Sequence, residues 1–314
     1  MEIRHLRCFL AVAEELHFAR AAERLHIEQS PLSRAIKELE EELGVTLFAR
    51  TTRSTRLTHA GTLFLGHVRR VFAALQQARD SVQAAVSGFH GQLRVALSDG
   101  ITPSRLPTLL ALCRQEEPEV EIRFFEVPLS QQIKGLHDDL YDVGFAQSDE
   151  VGEGIAALPV WSDALMVAVP ARHPLLAHKR IPLDELLRYP LVLCDPQVCE
   201  GHAKHAERVL RRADMEPLVA ERVASCDLMM ALVSGGIAIG LTGAAHIATS
   251  REPGVVARAL ATRVPPLTTF LLRPEGEPSD VLARFIERVQ AIDSLESARP
   301  VPGLHTNPPE EPAP

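Results

Sequence analysis

Phe18-Ala19-Arg20-Ala21-Ala22-Glu23-Arg24-Leu25-His26-Ile27-Glu28-Gln29-Ser30-Pro31-Leu32-Ser33-Arg34-Ala35-Ile36 is the stretch on which the fold turns. Ala21, Ala22 and Leu25 form a short apolar stripe at helical spacing, and paired alanines let a second helix approach closely. Ser30-Pro31 reads as an N-cap followed by a first-turn proline, which predicts a new helix. That helix buries Leu32, Ala35, Ile36, Leu39 and Leu43 and stops at Gly44. Its other side carries Gln29, Ser33, Arg34 and Lys37, the polar reach that a groove-reading helix needs near its N-terminal end. Upstream, Leu6, Phe9, Leu10 and Ala13 repeat at helical spacing up to a break at Leu16-His17. A helix-turn-helix follows from this pattern, although a plain three-helix bundle with a solvated polar face shares it.

Outward from there, Leu47 to Thr58 reads as two short strands around an arginine-bearing turn. From Leu43 to Arg79 there are six arginines and no acid. Arg50, Arg53 and Arg56 on a projecting wing suit phosphates or the minor groove. Up to Thr58, nine acids balance nine bases, so any positive field is local.

The next segment has a different task. Phe64, Val68, Val71, Leu75, Ala78, Val82, Ala85 and Phe89 alternate spacings of four and three, a heptad seam. Such a seam pairs a long helix with its copy from a second chain. Two heads on a twofold dimer read a spaced inverted repeat, where one head reads a few bases.

Residues 1–89 resemble the LysR-type transcriptional regulators. The resemblance is carried by Leu6-Arg7-Cys8-Phe9, Ala21 to Leu25, Gln29 to Arg34, Leu39 to Gly44, Leu47 to Arg50 and Leu57-Thr58-His59-Ala60-Gly61. Glu28 stands where the family often has serine, and Ser30-Pro31 replaces a proline followed by a small residue. An acid beside the phosphates is expected to weaken or retune DNA affinity. Leu16-His17-Phe18 resembles a branch of the family that often answers to aromatic-pathway acids.

At 314 residues the chain has room for a second domain beyond this head. The net charge is −8 and the isoelectric point about 5.9, which argues against nonspecific nucleic-acid binding. No apolar run approaches membrane-spanning length, and Glu2, Arg4 and His5 occupy the place of a secretory apolar region. Five irregularly spaced cysteines are consistent with a reducing cytoplasm.

After Ser87-Gly88-Phe89-His90-Gly91 short strands alternate with helices. Strands are expected at 93–97, 121–127, 143–146, 165–169, 191–193 and 237–241. Helices are expected at 103–117, 130–137, 183–187, 202–213, 226–234 and 279–293. That order implies a doubly wound α/β architecture. Two apolar stretches, near 160–170 and 265–272, cross between lobes. The segment is similar to the effector-binding domain of the same family, which shares its architecture with periplasmic solute-binding proteins. Pro118-Glu119-Val120, Leu140 to Val143, Leu158 to Trp161 and His173-Pro174-Leu175 carry that likeness. The expected division is a winged helix-turn-helix at 1–58, a linker helix at 59–89, a two-lobed effector-binding domain at 90–293 and a disordered tail at 294–314.

In open α/β sheets ligands bind beyond the carboxyl ends of the strands, where helix N-termini offer free N–H groups. Ser98, Thr102, Ser130, Gln147, Asp195, Pro196 and Thr242 are the residues placed there by that rule, with Gln197 in the same loop as Asp195. Ser98, Thr102 and Ser130 serve equally well as plain N-caps. Serine and threonine at helix starts suit a small organic effector, acidic or aromatic, although Asp195 opposes an anion.

Cys194, Cys199, His202 and His205 bring soft ligand types together, but not at Cys-x-x-Cys spacing, and no metal site is assigned. Ser234-Gly235-Gly236 precedes a strand, the reverse of a dinucleotide site, and is read as a turn. No Gly-x-Ser-x-Gly or His-Glu-x-x-His occurs. An enzyme of the α/β type therefore lacks a nucleophile–base set, and a solute-binding protein lacks an export signal. The favoured function is a ligand-responsive regulator with no cofactor, bound to double-stranded DNA through Arg20, Gln29, Ser30, Ser33, Arg34, Lys37, Arg50, Arg53 and Arg56. The expected assembly is a homodimer or a homotetramer, with RNA polymerase a further candidate partner and no membrane involved.

Overall fold

The structure, a computed structural model, describes residues 1–50, 55–86, 91–98, 105–213, 215–250 and 252–297, without side-chain detail at 50, 80, 81, 83–85 and 293–297. It divides into two units, residues 1–92 with 134–141, and 93–133 with the chain from 142 onward. The first unit opens with α1 (Ile3–Glu15), α2 (Phe18–Leu25) and α3 (Gln29–Leu43). An antiparallel pair, β1 (Phe48–Arg50) and β2 (Thr55–Leu57), leads into the long α4 (His59–Val86).

Local chemistry ends each of these helices. Leu16 takes a left-handed φ of 48° to stop α1, and the His17 ring accepts the Arg20 N–H to cap α2. His26, at φ 55°, closes α2 in the same way, with its N–H turned back to the Ala22 and Glu23 carbonyls. The Glu40 carboxylate accepts the Leu47 and Phe48 N–H groups at 2.8 and 3.1 Å and so ties the first wing strand to α3. Thr58 accepts the Gly61 N–H while donating to the Thr46 carbonyl, which starts α4 beside the wing. A Cβ on Gly61 would lie 2.1 Å from the Leu47 carbonyl oxygen, so this close approach admits glycine alone.

The core of this unit forms where the sequence pattern placed it. Phe9, Leu32, Ile36, Leu39 and Leu47 are fully buried, and Phe9 contacts Phe48 and Phe64 at ring separations of 5.3 and 5.0 Å. Each such side chain contributes roughly 1.5–3 kcal/mol of burial. Two expectations need correction. The N-cap of α3 is Glu28, so Ser30 and Pro31 fall at the second and third helical positions. The proline still fits, because an N–H in the first turn has no helical acceptor to lose. Leu43, expected in the core, is exposed at the end of α3.

The remaining elements follow in chain order. They are β3 (Gly91–Leu97), α5 (Arg105–Glu116), β4 (Val120–Glu126), α6 (Leu129–His137), β5 (Val143–Ala146), β6 (Ile155–Asp163) and β7 (Leu165–Pro170). Next come β8 (Arg180–Ile181), α7 (Leu183–Leu186), β9 (Leu191–Cys194), α8 (Glu200–Leu210), β10 (Val219–Val223) and α9 (Cys226–Ser234). The chain closes with β11 (Ile239–Gly243), α10 (Ala244–Thr249), β12 (Val255–Leu260), β13 (Leu267–Pro274) and α11 (Asp280–Ser297).

Two sheets result. Lobe I has the order β4-β3-β5-β13-β6, and lobe II the order β10-β9-β11-β7-β12-β8. Parallel neighbours such as β3/β5 and β9/β11 alternate with antiparallel return strands, β13 in lobe I and β7 in lobe II. The chain crosses between the sheets at Ala164 and again over 261–266, close to the two expected apolar stretches. Strands β6 and β13 occupy segments expected only as crossings between lobes, and β8, β10, β12 and helix α10 were not anticipated, because β10 carries Glu221 and Arg222 and the others are short or half-buried. Helix α11 extends to Ser297, past the expected start of a disordered tail at Ser294. Its amphipathic face supplies Phe285, Val289 and Ile292 to the lobe I core, where Phe145 stacks on Trp161 at 5.0 Å.

Candidate functional site

Gln29, Ser30, Arg34 and Lys37 stand exposed along one side of α3, while Leu32, Ile36 and Leu39 on the other side are buried. Ser33 is half-buried between the two faces, and Lys37 pairs with Glu41 at 3.5 Å. Arg20 is exposed but engaged, donating to the Glu15 carbonyl at 2.7 Å. Arg56 is the exposed central residue of β2 and lies opposite Ala49. Arg50 ends β1 with its side chain outside the described atoms, and Arg53 lies outside the described residues. In α4, Phe64 and Val68 pack into the head, whereas Val71, Leu75, Val82 and Val86 are exposed apolar residues. The seam positions Ala85, in its side chain, and Phe89 lie outside the described part.

In the second unit, several polar contacts between described residues span the two lobes near the carboxyl ends of the strands. Gln147, just after β5, sets its side-chain oxygen 3.1 Å from His202 Nδ1 on α8. Glu200 accepts the Ser130 N–H at 3.1 Å, and Lys204 reaches Glu150 at 2.9 Å. Beside them lies a cavity of about 170 Å³, lined by Gln147, Ser148, Gly201, Lys204, His205 and Arg208 among others. Two cations, Lys204 and Arg208, are balanced there by Asp149 and Glu150, and the Lys204 hydrogen bond holds the Glu150 carboxyl below the usual range.

Behind each side of this contact zone sits a buried polar cluster. In lobe I, Gln132 is fully buried and donates to the Ala96 and Phe145 carbonyls at 2.9 and 3.2 Å, while Ser98 donates to its oxygen at 3.2 Å. A Cβ on Gly144 would fall 2.0 Å from the Gln132 amide nitrogen, so a glycine in an apolar strand marks the cluster. In lobe II, Cys194 ends β9, Cys226 opens α9 and His202 lies in the first turn of α8, their ligand atoms all within 4.8 Å of one another. The Cys194 hydrogen bond holds the Cys226 thiol well below the ordinary cysteine range despite burial. Contacts from Cys199 and Cys226 push Cys194 the other way.

A family model described as "LysR substrate binding domain" matches residues 87–292, and one described as "Bacterial regulatory helix-turn-helix protein, lysR family" matches residues 3–62. The chain belongs to the LysR family of bacterial transcriptional regulators. It is 34% identical over 242 residues to the uncharacterised HTH-type transcriptional regulator YnfL of Escherichia coli K12, covering 77% of this chain and 82% of YnfL. Among solved structures it resembles CbnR, a LysR family transcriptional regulator, at 28% identity and a TM-score of 0.67, over 93% of this chain and 99% of CbnR. Full-length CbnR in complex with its target DNA gives the same TM-score at 29% identity, over 93% of this chain and all of CbnR.

A LysR regulator is a DNA-binding protein and not an enzyme, as the sequence implied. Of the seven residues proposed for the effector site, Gln147 and Ser130 lie at the lobe-to-lobe contacts. Asp195 spends its carboxylate on the Gln197 N–H at 2.8 Å, a local turn that also exposes Pro196. Ser98 is buried against Gln132, and Thr242 is buried with its hydroxyl directed at Cys226 Sγ at 3.5 Å, so neither side chain faces the cavity. Thr102 lies outside the described residues. His205 turns away from the soft cluster, its ring 3.1 Å from the Pro265 carbonyl, and Cys226 takes the place it was given in the sequence pattern. Spacing hid Cys226, since it comes from a helix that starts thirty-two residues after Cys194. Gln132 gave no signal of its own.

Proposed function

We propose that this LysR regulator binds an inverted-repeat operator as a homodimer or dimer of dimers, and that a small organic effector between the lobes sets its output. The observation that carries the DNA reading is the polar row Gln29, Ser30, Arg34 and Lys37 at the N-terminal half of α3, opposite a fully buried face. Such a helix presents its first turns to base edges, with Arg or Gln forming paired hydrogen bonds. Ser33 contributes from the flank, and Arg20, Arg50, Arg53 and Arg56 supply phosphate contacts. Exposed Val71, Leu75 and Val82 on α4 support pairing with a second copy, because a seam of that kind is covered in a coiled coil.

The effector reading rests on the inter-lobe cavity and its cations. Lys204 and Arg208 suit an acidic group, and the exposed Ser130 suits a further polar contact. An anion in the cavity competes with Glu150 for Lys204, and so exchanges an internal contact for a ligand contact. Effector binding then shifts the population of lobe arrangements by its differential affinity for them. RNA polymerase is the partner through which an operator-bound dimer in the cytoplasm affects transcription.

The test is an electrophoretic shift with the DNA upstream of the neighbouring gene. Gln29→Ala or Arg34→Ala should abolish discrimination between operator and random DNA. Arg56→Ala should weaken both and lower the salt slope by about one. Unchanged specificity in Arg34→Ala would show that α3 is not the recognition helix.

A further inference from the structure

We infer that Cys194, Cys226 and His202 form a binding site for a zinc ion in lobe II. Cys194 and His202 come from the consecutive elements β9 and α8, Cys226 from the later α9, and their ligand atoms converge within 4.8 Å in the protein interior. The two sulfurs stand 4.0 Å apart. That separation is far beyond a disulfide bond and close to the edge of a tetrahedron built on a Zn–S distance of about 2.3 Å, roughly 3.8 Å. Imidazole nitrogen and thiolate sulfur are the donors that a tetrahedral zinc site takes.

Several neighbours favour a thiolate at Cys226. The residue opens the nine-residue α9, so its sulfur sits at the positive end of a helix dipole. The Thr242 hydroxyl also donates to that sulfur at 3.5 Å. Cys199 lies close by in the same buried cluster, but its thiol donates to the Ala224 carbonyl at 3.3 Å, so the three converging residues are the ligands assigned. Binding Zn²⁺ forms the metal–sulfur bonds and releases the remaining thiol protons to solvent, with no change of oxidation state.

His202 connects this site to the lobe contact. Its Nε2 lies 2.9 Å from the Leu241 carbonyl, an acceptor, so that nitrogen carries a proton. A ligating histidine commonly donates its other N–H to just such a carbonyl. Nδ1 is then the ligand atom, and the Gln147 amide of lobe I, 3.1 Å away, hydrogen-bonds it by turning its NH2 group to the ring as the donor. Zinc and Gln147 therefore compete for Nδ1, so an ion bound in lobe II loosens a contact between the lobes. The site adjoins the cavity proposed for the organic effector and shares Gln147 with it, but its test reads metal uptake and does not depend on that effector or on DNA.

The full-length protein, reduced and stripped of metal, should be titrated with Zn²⁺, and with Co²⁺ as a spectroscopic stand-in. One ion per chain is expected, with the intense visible bands of a tetrahedral thiolate site for Co²⁺. Cys226→Ser and His202→Ala should weaken binding at least about tenfold. His205→Ala and Cys113→Ser should leave it unchanged, and Gln147→Ala should tighten it by removing the competitor. Where Cys226→Ser does not fold, the wild type still decides, because one equivalent of Zn²⁺ should protect Cys194 and Cys226 from alkylation. An octahedral Co²⁺ spectrum, thiols alkylated equally with and without Zn²⁺, or no uptake above that of a Cys194→Ser/Cys226→Ser variant would overturn the assignment.

Discussion

Gln147 and His202 meet at 3.1 Å across the two lobes, one residue past the end of β5 and two residues into α8. The pair ties the carboxyl edge of one sheet to the first turn of a helix on the other. Ser130–Glu200 and Glu150–Lys204 reinforce it, but both of these have an exposed partner and hold less well against water. The lobe arrangement thus depends most on the contact that is best shielded.

Gln147→Ala is expected to remove one hydrogen bond worth about 1 kcal/mol. Thermal unfolding should show a midpoint lower by roughly 2–4 °C, and small-angle scattering a larger radius as the lobes separate. An unchanged scattering profile would mean that the lobes are held by something else.

Gly144→Ala places a methyl group 2.0 Å from the Gln132 amide nitrogen in a fully buried cluster. The amide must move, leaving the Ala96 carbonyl without its partner. Urea denaturation should report a loss of about 2–4 kcal/mol. Shortening Gln132 to alanine in the same chain should return part of that loss, since the clash then vanishes.

Leu75→Glu puts a charge in the exposed seam of α4. Sedimentation of the full-length protein should shift toward the monomer, and operator affinity should fall with it, while Phe9 and its neighbours keep the head folded. A variant that stays dimeric would place the pairing surface elsewhere.

Arg288 donates to Glu116 and Glu117 at 2.6 Å each and joins α11 to the end of α5. Burial raises the Glu117 carboxyl, but hydrogen bonds from Arg288 and Arg284 outweigh it and leave the group below its ordinary value of 4.5. A carboxyl depressed in the folded state stabilises the protein above its unfolded pKa and ceases to do so as pH falls through the folded value. Stability of the wild type should therefore decline below about pH 4.5, more steeply than in Arg288→Met. At neutral pH that variant should be less stable by about 2 kcal/mol. Parallel acid profiles of the two proteins would exclude this network as the cause.

The head was legible in the sequence because its structure is local. Helical spacing around Phe9, Leu32, Ile36 and Leu39, a stop at Gly44 and a glycine at position 61 each act within a few turns of the chain, and the same periods reappear as burial. Even there, the start of α3 slipped by two residues, because a serine before a proline signals a cap whether or not the backbone uses it. The alternation of strands and helices likewise announced two α/β lobes. What only the tertiary structure decided is which side chains meet. Ser98 and Thr242 were placed in the cleft by their position after a strand, and long-range packing turned them toward Gln132 and Cys226 instead. Cys226 joined Cys194 and His202, while His205 left them, because three separate elements converge at the edge of lobe II. Periodicity follows from forces between near neighbours in the chain, but a buried polar cluster needs partners that only sheet order and register bring together.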